Sequence, residues 1–435
     1  MSSSRRDFIK TASVLAAGSV ISSEALSFPK PGIQASDKVR VALIGGNSQG
    51  WADLSSFLKN QQVDCVAMAD VDQNVLSNRT NEIIKMGRPK PKLYGDYRKM
   101  LEQKDIDVVI IGTPDHWHCL QLVDTVESGK HAYCEKPIGN SIAEINIMQK
   151  AAKKNNKLVQ VGQWQRSQPH FVDAINFLKS GKLGRIRATK AWSFVDWKSS
   201  VPKVPDTPVP EGVNYNMWLG PAPLRPFNKN RFHFTWRWYW EYGNGLMTDW
   251  GVHLIDYILY GMGKSIPKSV MAVGGKYAFP DDDMVTPDTM TAVYDFGDFT
   301  MAWEHTIGIG LGNWKRPHGM AYTGENGTLV LDRQGWEVFP EKTRMEAVPL
   351  QKNVGNGLDL HVKNFLDCLK NNTPQKLNAS IDIGRNVALV AQMGNIAYRS
   401  GEKVVWDDAK QQFTSANANK FIVPVYNNGY KLPKY

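Results

Sequence analysis

The spacing of apolar positions changes character at Lys38. Val39–Ile44 is a nearly unbroken apolar run, interrupted by Gly45-Gly46-Asn47-Ser48-Gln49-Gly50 and followed by a helical pattern over 51–60. A short apolar run bounded by glycine predicts a strand buried on both faces, the mark of a parallel sheet. The theme recurs. Residues 64–69 end at Asp70, 106–112 end in Thr113-Pro114-Asp115-His116-Trp117-His118, and 129–134 end in Glu135-Lys136-Pro137. Helical patterns fall between them, over 119–128 and 142–154, and another strand is expected over 158–162. Strands alternating with helices predict an α/β unit. After residue 163 the pattern shifts to short runs that alternate or flank glycine turns, at 291–296, 299–305, 320–322 and 328–331, as strands of an open sheet do. Helices are expected over 359–370 and 384–399.

The first segment stands apart. Ser4-Arg5-Arg6-Asp7-Phe8-Ile9-Lys10 precedes a modestly apolar stretch over 12–21 and then Ala25-Leu26-Ser27. It resembles a twin-arginine export signal over 1–27 with cleavage after Ser27, followed by a linker over 28–37. The expectation is a folded protein exported to the periplasm, with a cytoplasmic protein carrying a basic N-terminus as the alternative. The apolar stretch is too short to span a bilayer, and no membrane span is expected elsewhere.

At 435 residues, two domains are the natural reading. Lys and Arg outnumber Asp and Glu by 52 to 42, but the basic residues are spread along the chain, which argues against a nucleic-acid partner. The four cysteines, Cys65, Cys119, Cys134 and Cys368, show no metal or redox spacing; Cys119 and Cys134 are the pair worth testing for a disulfide.

Strand, glycine turn and helix at 39–60 form the opening of a dinucleotide fold, in which a bare backbone lets pyrophosphate approach a helix N-terminus. Gly45 and Gly50 supply the outer glycines, and Asn47 replaces the middle one, being more tolerant than most residues of left-handed backbone. Asp70, about 20 residues on, is placed to meet ribose hydroxyls. Its charge favours NAD over NADP; a strand-end cap is the plainer reading.

These motifs, with Thr113-Pro114 and His118, then Glu135-Lys136-Pro137, and a second segment at 243–256 holding Asp249 and His253, resemble the glucose-fructose oxidoreductase, inositol dehydrogenase and MocA family. The resemblance implies an N-terminal Rossmann domain over 38–162 and a C-terminal α+β domain over 163–435, with a large, mostly antiparallel open sheet carrying the substrate site and often an oligomer interface. It also implies a place beside the cofactor for Thr113, Pro114, His118, Glu135 and Lys136. A homo-oligomer is expected.

Moving hydride from a carbinol carbon needs a base for the hydroxyl proton and a charge to steady the oxygen. His253 is the expected base or acid and Lys136 the donor to the reacting oxygen. Asp249, four residues before His253 and so on one face of a helix, is expected to orient substrate or imidazole and raise the latter's basicity. His116, Gln163, Arg166, Trp236 and Arg237 are expected around the substrate. Flat rings next to fork-like donors suit a pyranose, although Trp236, Trp238 and Trp240 at alternating positions equally fit one buried sheet face. A metal on His116 and His118 is disfavoured because residues two apart do not share a face. The proline-rich stretch 201–212 reads as a lid or interface arm.

The function read from this inventory is NAD-dependent oxidation or reduction of a hydroxyl on a sugar or glycoside, by the resemblance at pyranose C3, with a cofactor tightly held because an exported enzyme lacks a cytoplasmic supply. Two other readings stand beside it: a glycoside hydrolase using transient oxidation by NAD, and a sugar-binding relative without turnover.

Overall fold

The computed structural model describes residues 38–435; the expected signal and linker lie outside the described residues. Six strands, β1 (Val39–Ile44), β2 (Val63–Ala69), β3 (Lys92–Tyr94), β4 (Val108–Ile111), β5 (His131–Cys134) and β6 (Val159–Val161), pair in the order β3-β2-β1-β4-β5-β6. Every pairing is parallel. The order reverses between β1 and β4, which opens a crevice at their carboxyl ends where ligands of such sheets bind. β4 is buried throughout and β1 everywhere except Arg40, as the unbroken apolar runs require.

The second sheet has ten strands: β7 (Ala188–Val195), β8 (Ser269–Gly275), β9 (Thr289–Asp295), β10 (Thr300–Ile307), β11 (His318–Thr323), β12 (Gly327–Leu331), β13 (Gly335–Pro340), β14 (Val348–Lys352), β15 (Val404–Asp407) and β16 (Gln412–Phe413). Their order is β14-β13-β12-β11-β7-β10-β9-β8-β15-β16. Only β7 and β10 run parallel, so the sheet is mostly antiparallel. Alternate residues of β10, such as Met301 and Trp303, face helices Gly251–Met262 and Ile381–Ser400 in one core with Tyr257 and Leu389. The opposite face exposes Met271, Val273 and Val293.

Later chain returns to the first sheet. Helix Gly357–Asn371 drives Val362, Phe365 and Leu366 into the core that holds Val39, Val41 and Phe57. Phe365 packs edge-on to Phe57, ring centroids 5.9 Å apart. Burying that ring contributes about 2–3 kcal/mol. The segment after β7 also reaches back: Asn214 donates its N–H to the Val71 carbonyl (2.8 Å) and Gly212 accepts from the Gln73 N–H (3.0 Å). The proline-rich stretch thus ends against the carboxyl edge of this chain's own Rossmann sheet. All four cysteines are free and buried, so Cys119 and Cys134 form no disulfide. Among the described residues, no helix is long and apolar enough to cross a membrane.

Candidate active site

A cavity of about 450 Å³ opens at the crevice, lined on one side by the ends of β1, β2, β4 and β5 and on the other by the second domain. Of the expected cofactor residues it takes in Gly45, Asn47, Asp70, Thr113, Pro114, Glu135 and Lys136.

The glycine turn is built by close approach. Gly45 has φ +84°, and a Cβ there would sit 2.9 Å from the Gly112 carbonyl carbon. Gly50 lies beneath the turn rather than on the cavity wall; a Cβ would come 2.1 Å from the Gly45 oxygen. Asn47 is not left-handed. It is extended (φ −100°, ψ 159°) and caps helix Ser48–Leu58 by accepting from the Ser48 N–H; Ser48 takes the positive φ (45°). A polar cap at a helix start leaves the next amides free for an anion. Asp70 serves the turn as well as the cavity: its Oδ2 accepts from Gly46 N–H (2.8 Å) and its Oδ1 from Asp72 N–H (3.0 Å). Burial raises its pKa and those two bonds oppose the rise. Each oxygen keeps a lone pair for a ribose hydroxyl. A bare turn, a free helix start and a carboxylate at the end of β2 fit a dinucleotide.

His118 stands behind this wall. Its ring nitrogens meet the Pro137 carbonyl (2.9 Å) and the Thr113 carbonyl (2.8 Å), so it staples the loop after β4 to the loop after β5 rather than touching the cavity. Glu135 is buried, and burial pushes its carboxyl up to about 7. It is wedged against Gly162, where a Cβ would fall 1.9 Å from Oε1.

At the junction of the two domains, Lys136 Nζ donates to Asp249 Oδ1 and to the Asp249 carbonyl, both at 2.9 Å. Arg237 Nε reaches the same Oδ1 at 3.4 Å, its guanidinium lying 4.5 Å over Trp236. Burial alone would raise the Asp249 pKa; Lys136 and Arg237 instead hold it down at about 2. The helix expected through Asp249 and His253 is broken at Trp250, between Gly245–Asp249 and Gly251–Met262. Both side chains still face the cavity, but Asp249 is engaged by the two cations. Gln165 Oε1 orients His253 in its place, accepting from Nδ1 at 2.9 Å. Because an amide oxygen only accepts, Nδ1 carries the proton and Nε2 the lone pair. The expected rise in basicity is reversed: burial, then Lys136, Arg333 and His318, hold the imidazole well below its ordinary pKa.

Three expected substrate residues are elsewhere. Arg166 makes a two-pronged pair with buried Asp256 (2.6–2.9 Å). Gln163 Nε2 donates to the Val252 carbonyl (3.1 Å), steadying the helix that carries His253. His116 is buried behind Trp218, its Nε2 at 3.1 Å from that residue's carbonyl. The tryptophan series is not a strand: Thr235–Trp238 is a 3₁₀ turn, and Trp238 is wholly buried with Tyr239 and Tyr242. Trp236 and Arg237 line the cavity with Trp164, Trp218, His233 and Arg333; His233 and Arg333 were not anticipated from sequence.

Fold and cavity together define a nicotinamide-dinucleotide-binding oxidoreductase. The family model "Oxidoreductase family, NAD-binding Rossmann fold" matches residues 39–163, and "Oxidoreductase family, C-terminal alpha/beta domain" matches 179–432. The chain belongs to the Gfo/Idh/MocA family of oxidoreductases. It is 32% identical over 201 residues to an alpha-N-acetylgalactosaminidase of Shewanella oneidensis, a match covering 42% of this chain and 44% of that protein. The chain therefore spans under half the length of that curated relative. Among solved structures it resembles the aldose-aldose oxidoreductase from Caulobacter crescentus complexed with glycerol (TM-score 0.65, 18% identity, 85% of this chain and 100% of that one). It also resembles levoglucosan dehydrogenase in complex with NADH (TM-score 0.65, 19% identity, 85% and 99%).

Proposed function

We propose that the chain transfers hydride between NAD and a hydroxyl carbon of a sugar or glycoside, with pyranose C3 as the position to test first. The observation that carries this reading is the meeting of Lys136, Asp249 and a neutral His253 where the two domains face each other. When bound, the nicotinamide supplies the two-electron acceptor. His253 Nε2 takes the hydroxyl proton, Lys136 donates to the oxygen as its charge develops, and Asp249 fixes the Lys136 ammonium. Carbonyl formation follows from loss of that proton and of the carbinol hydride. Incubation with NAD and a panel of sugars and glycosides, following NADH and ketose products together, tests it.

The match to the Shewanella relative favours a second reading, in which oxidation is transient and a glycosidic bond is cleaved. That reading requires released aglycone without NADH accumulation.

Three further features belong to the proposal. The Arg5-Arg6 segment directs export, checked by cell fractionation of Arg5→Lys/Arg6→Lys protein. The cofactor is carried and recycled in place, which released nicotinamide on denaturing purified protein would support. A second copy covers the face exposing Met271, Val273 and Val293, which light scattering of the purified chain would reveal.

A further inference from the structure

Arg333 occupies the tight turn between β12 and β13 and lines the cavity from the second domain. Its guanidinium carbon lies 4.7 Å from the Trp250 ring centroid and 5.1 Å from that of Trp164. Two indole faces therefore hold it in place, a geometry that suits a planar cation. Its Nε is buried without a hydrogen-bond partner.

The neighbouring arginines differ. Arg166 holds Asp256, Arg237 holds Asp249, and Arg316 holds Asp332, the residue next to Arg333, at 2.9 Å. Arg333 pairs with no carboxylate among the described residues. A guanidinium stays charged in a protein, and a half-buried one whose Nε is sealed from water and lacks a counter-charge is costly. At this end of the cavity Lys136, Arg237 and Arg333 face the ionised Asp249, which the first two already share. Arg333 is left without a carboxylate of its own, its donors unspent beside His253 and Trp164.

We propose that Arg333 receives an oxyanion carried by the sugar itself, so that the substrate is an acidic sugar: a uronic acid or a glycoside of one. The inference rests on the oxidoreductase reading above and names its substrate class. A fork of N–H donors fixed between two rings matches a carboxylate in two-pronged fashion, and it would set the sugar's orientation relative to Lys136 and His253. A sulfate ester offers the same chemistry from another source.

The test uses the full chain with NAD and three matched substrates: methyl glucopyranoside, its 6-carboxylate and its 6-sulfate, both anomers of each. Wild type is expected to favour the carboxylate in kcat/KM, and Arg333→Met to reduce the acid-to-neutral ratio about 10- to 100-fold, with Arg333→Lys between them. Preference for the sulfate, lost in the same variant, would sustain the oxyanion site and reassign its source, whereas an unchanged ratio in Arg333→Met, or no preference for either acid, would overturn it. Calorimetric binding of the carboxylate to NAD-loaded protein reads the site without turnover: its Kd should rise by a similar factor in Arg333→Met, and an unchanged Kd contradicts the inference. Anion-dependent binding with no oxidation of any sugar would instead defeat the oxidoreductase reading and leave the Arg333 site standing.

Discussion

Lys136 Nζ bonds both the side chain and the main-chain carbonyl of Asp249, at 2.9 Å each, and so joins the carboxyl end of the parallel sheet to helix Gly245–Asp249 of the substrate domain. An ammonium held this way is positioned before substrate arrives. Lys136→Met should lower kcat by about 10²–10⁴-fold, the scale of a lost acid–base or charge-stabilising group. NAD affinity measured by calorimetry should stay within a few fold, because the glycine turn and Asp70 are untouched. Near-normal kcat in this variant would remove Lys136 from the chemistry.

Gln165 fixes the tautomer of His253 through the 2.9 Å bond to Nδ1. Gln165→Leu removes the only acceptor seen at that nitrogen among the described residues and lets the proton move to Nε2. A fall in kcat of about 10-fold or more with little change in KM for NAD is expected. Recovery with Gln165→Glu, which restores an acceptor, would distinguish orientation from simple packing damage.

The pH profile follows from the depressed pKa of His253. A base whose conjugate acid is destabilised stays neutral further into acid, so kcat/KM should hold level down through pH 6.5, the ordinary histidine value. The acid limb should lie below it. Arg333 is one of the charges lowering that pKa, so Arg333→Met should move the limb upward. A wild-type midpoint at or above pH 6.5 would contradict the geometry.

Glu135 gives a stability prediction of opposite sense. Its folded pKa lies above the ordinary carboxyl value, at about 7, so the folded chain holds the proton longer than the unfolded chain. Stability from this group is therefore lost as pH rises from about 4.5 through that value and stays lost above it. Glu135→Gln removes the titration; its Tm relative to wild type should be more favourable at pH 8 than at pH 5. A constant difference across that range would count against the burial of this carboxyl, whose Oε1 has no hydrogen-bond partner among the described residues.

Gly50→Ala places a methyl 2.1 Å from the Gly45 carbonyl oxygen, a backbone atom that cannot move without opening the turn. Destabilisation of about 1–3 kcal/mol and a marked loss of NAD affinity are expected, read by thermal unfolding and calorimetry. Retention of both would mean the turn is looser than its geometry indicates.

What was legible in the sequence tracks how local the cause is. Gly45, Gly50 and Asp70 are set by one strand, one turn and the next strand, and their pattern survives in a linear reading. Lys136, Asp249 and His253 were identified through a family resemblance, and the structure does gather them. Their bonds were not legible: the partner of His253 is Gln165, 88 residues away, and that of Arg166 is Asp256, 90 residues away. Trp236, Trp238 and Trp240 misled because a period of two fits a strand, while a 3₁₀ turn buries Trp238 and leaves Trp236 at the cavity. Arg333 had no local signal at all. Its significance appears only when a hairpin turn of the second sheet is folded over the Rossmann crevice.

The central claim, hydride transfer from a sugar hydroxyl to NAD at the Lys136–His253 junction, is tested most directly by single-turnover absorbance at 340 nm with NAD-loaded protein and methyl glycosides, neutral and acidic. The account predicts NADH formation matched mole for mole by a ketosugar, slowed by about 10²-fold or more in Lys136→Met and in His253→Ala with cofactor still bound. Absence of NADH with every glycoside, or NADH formation undiminished in both variants, would contradict it.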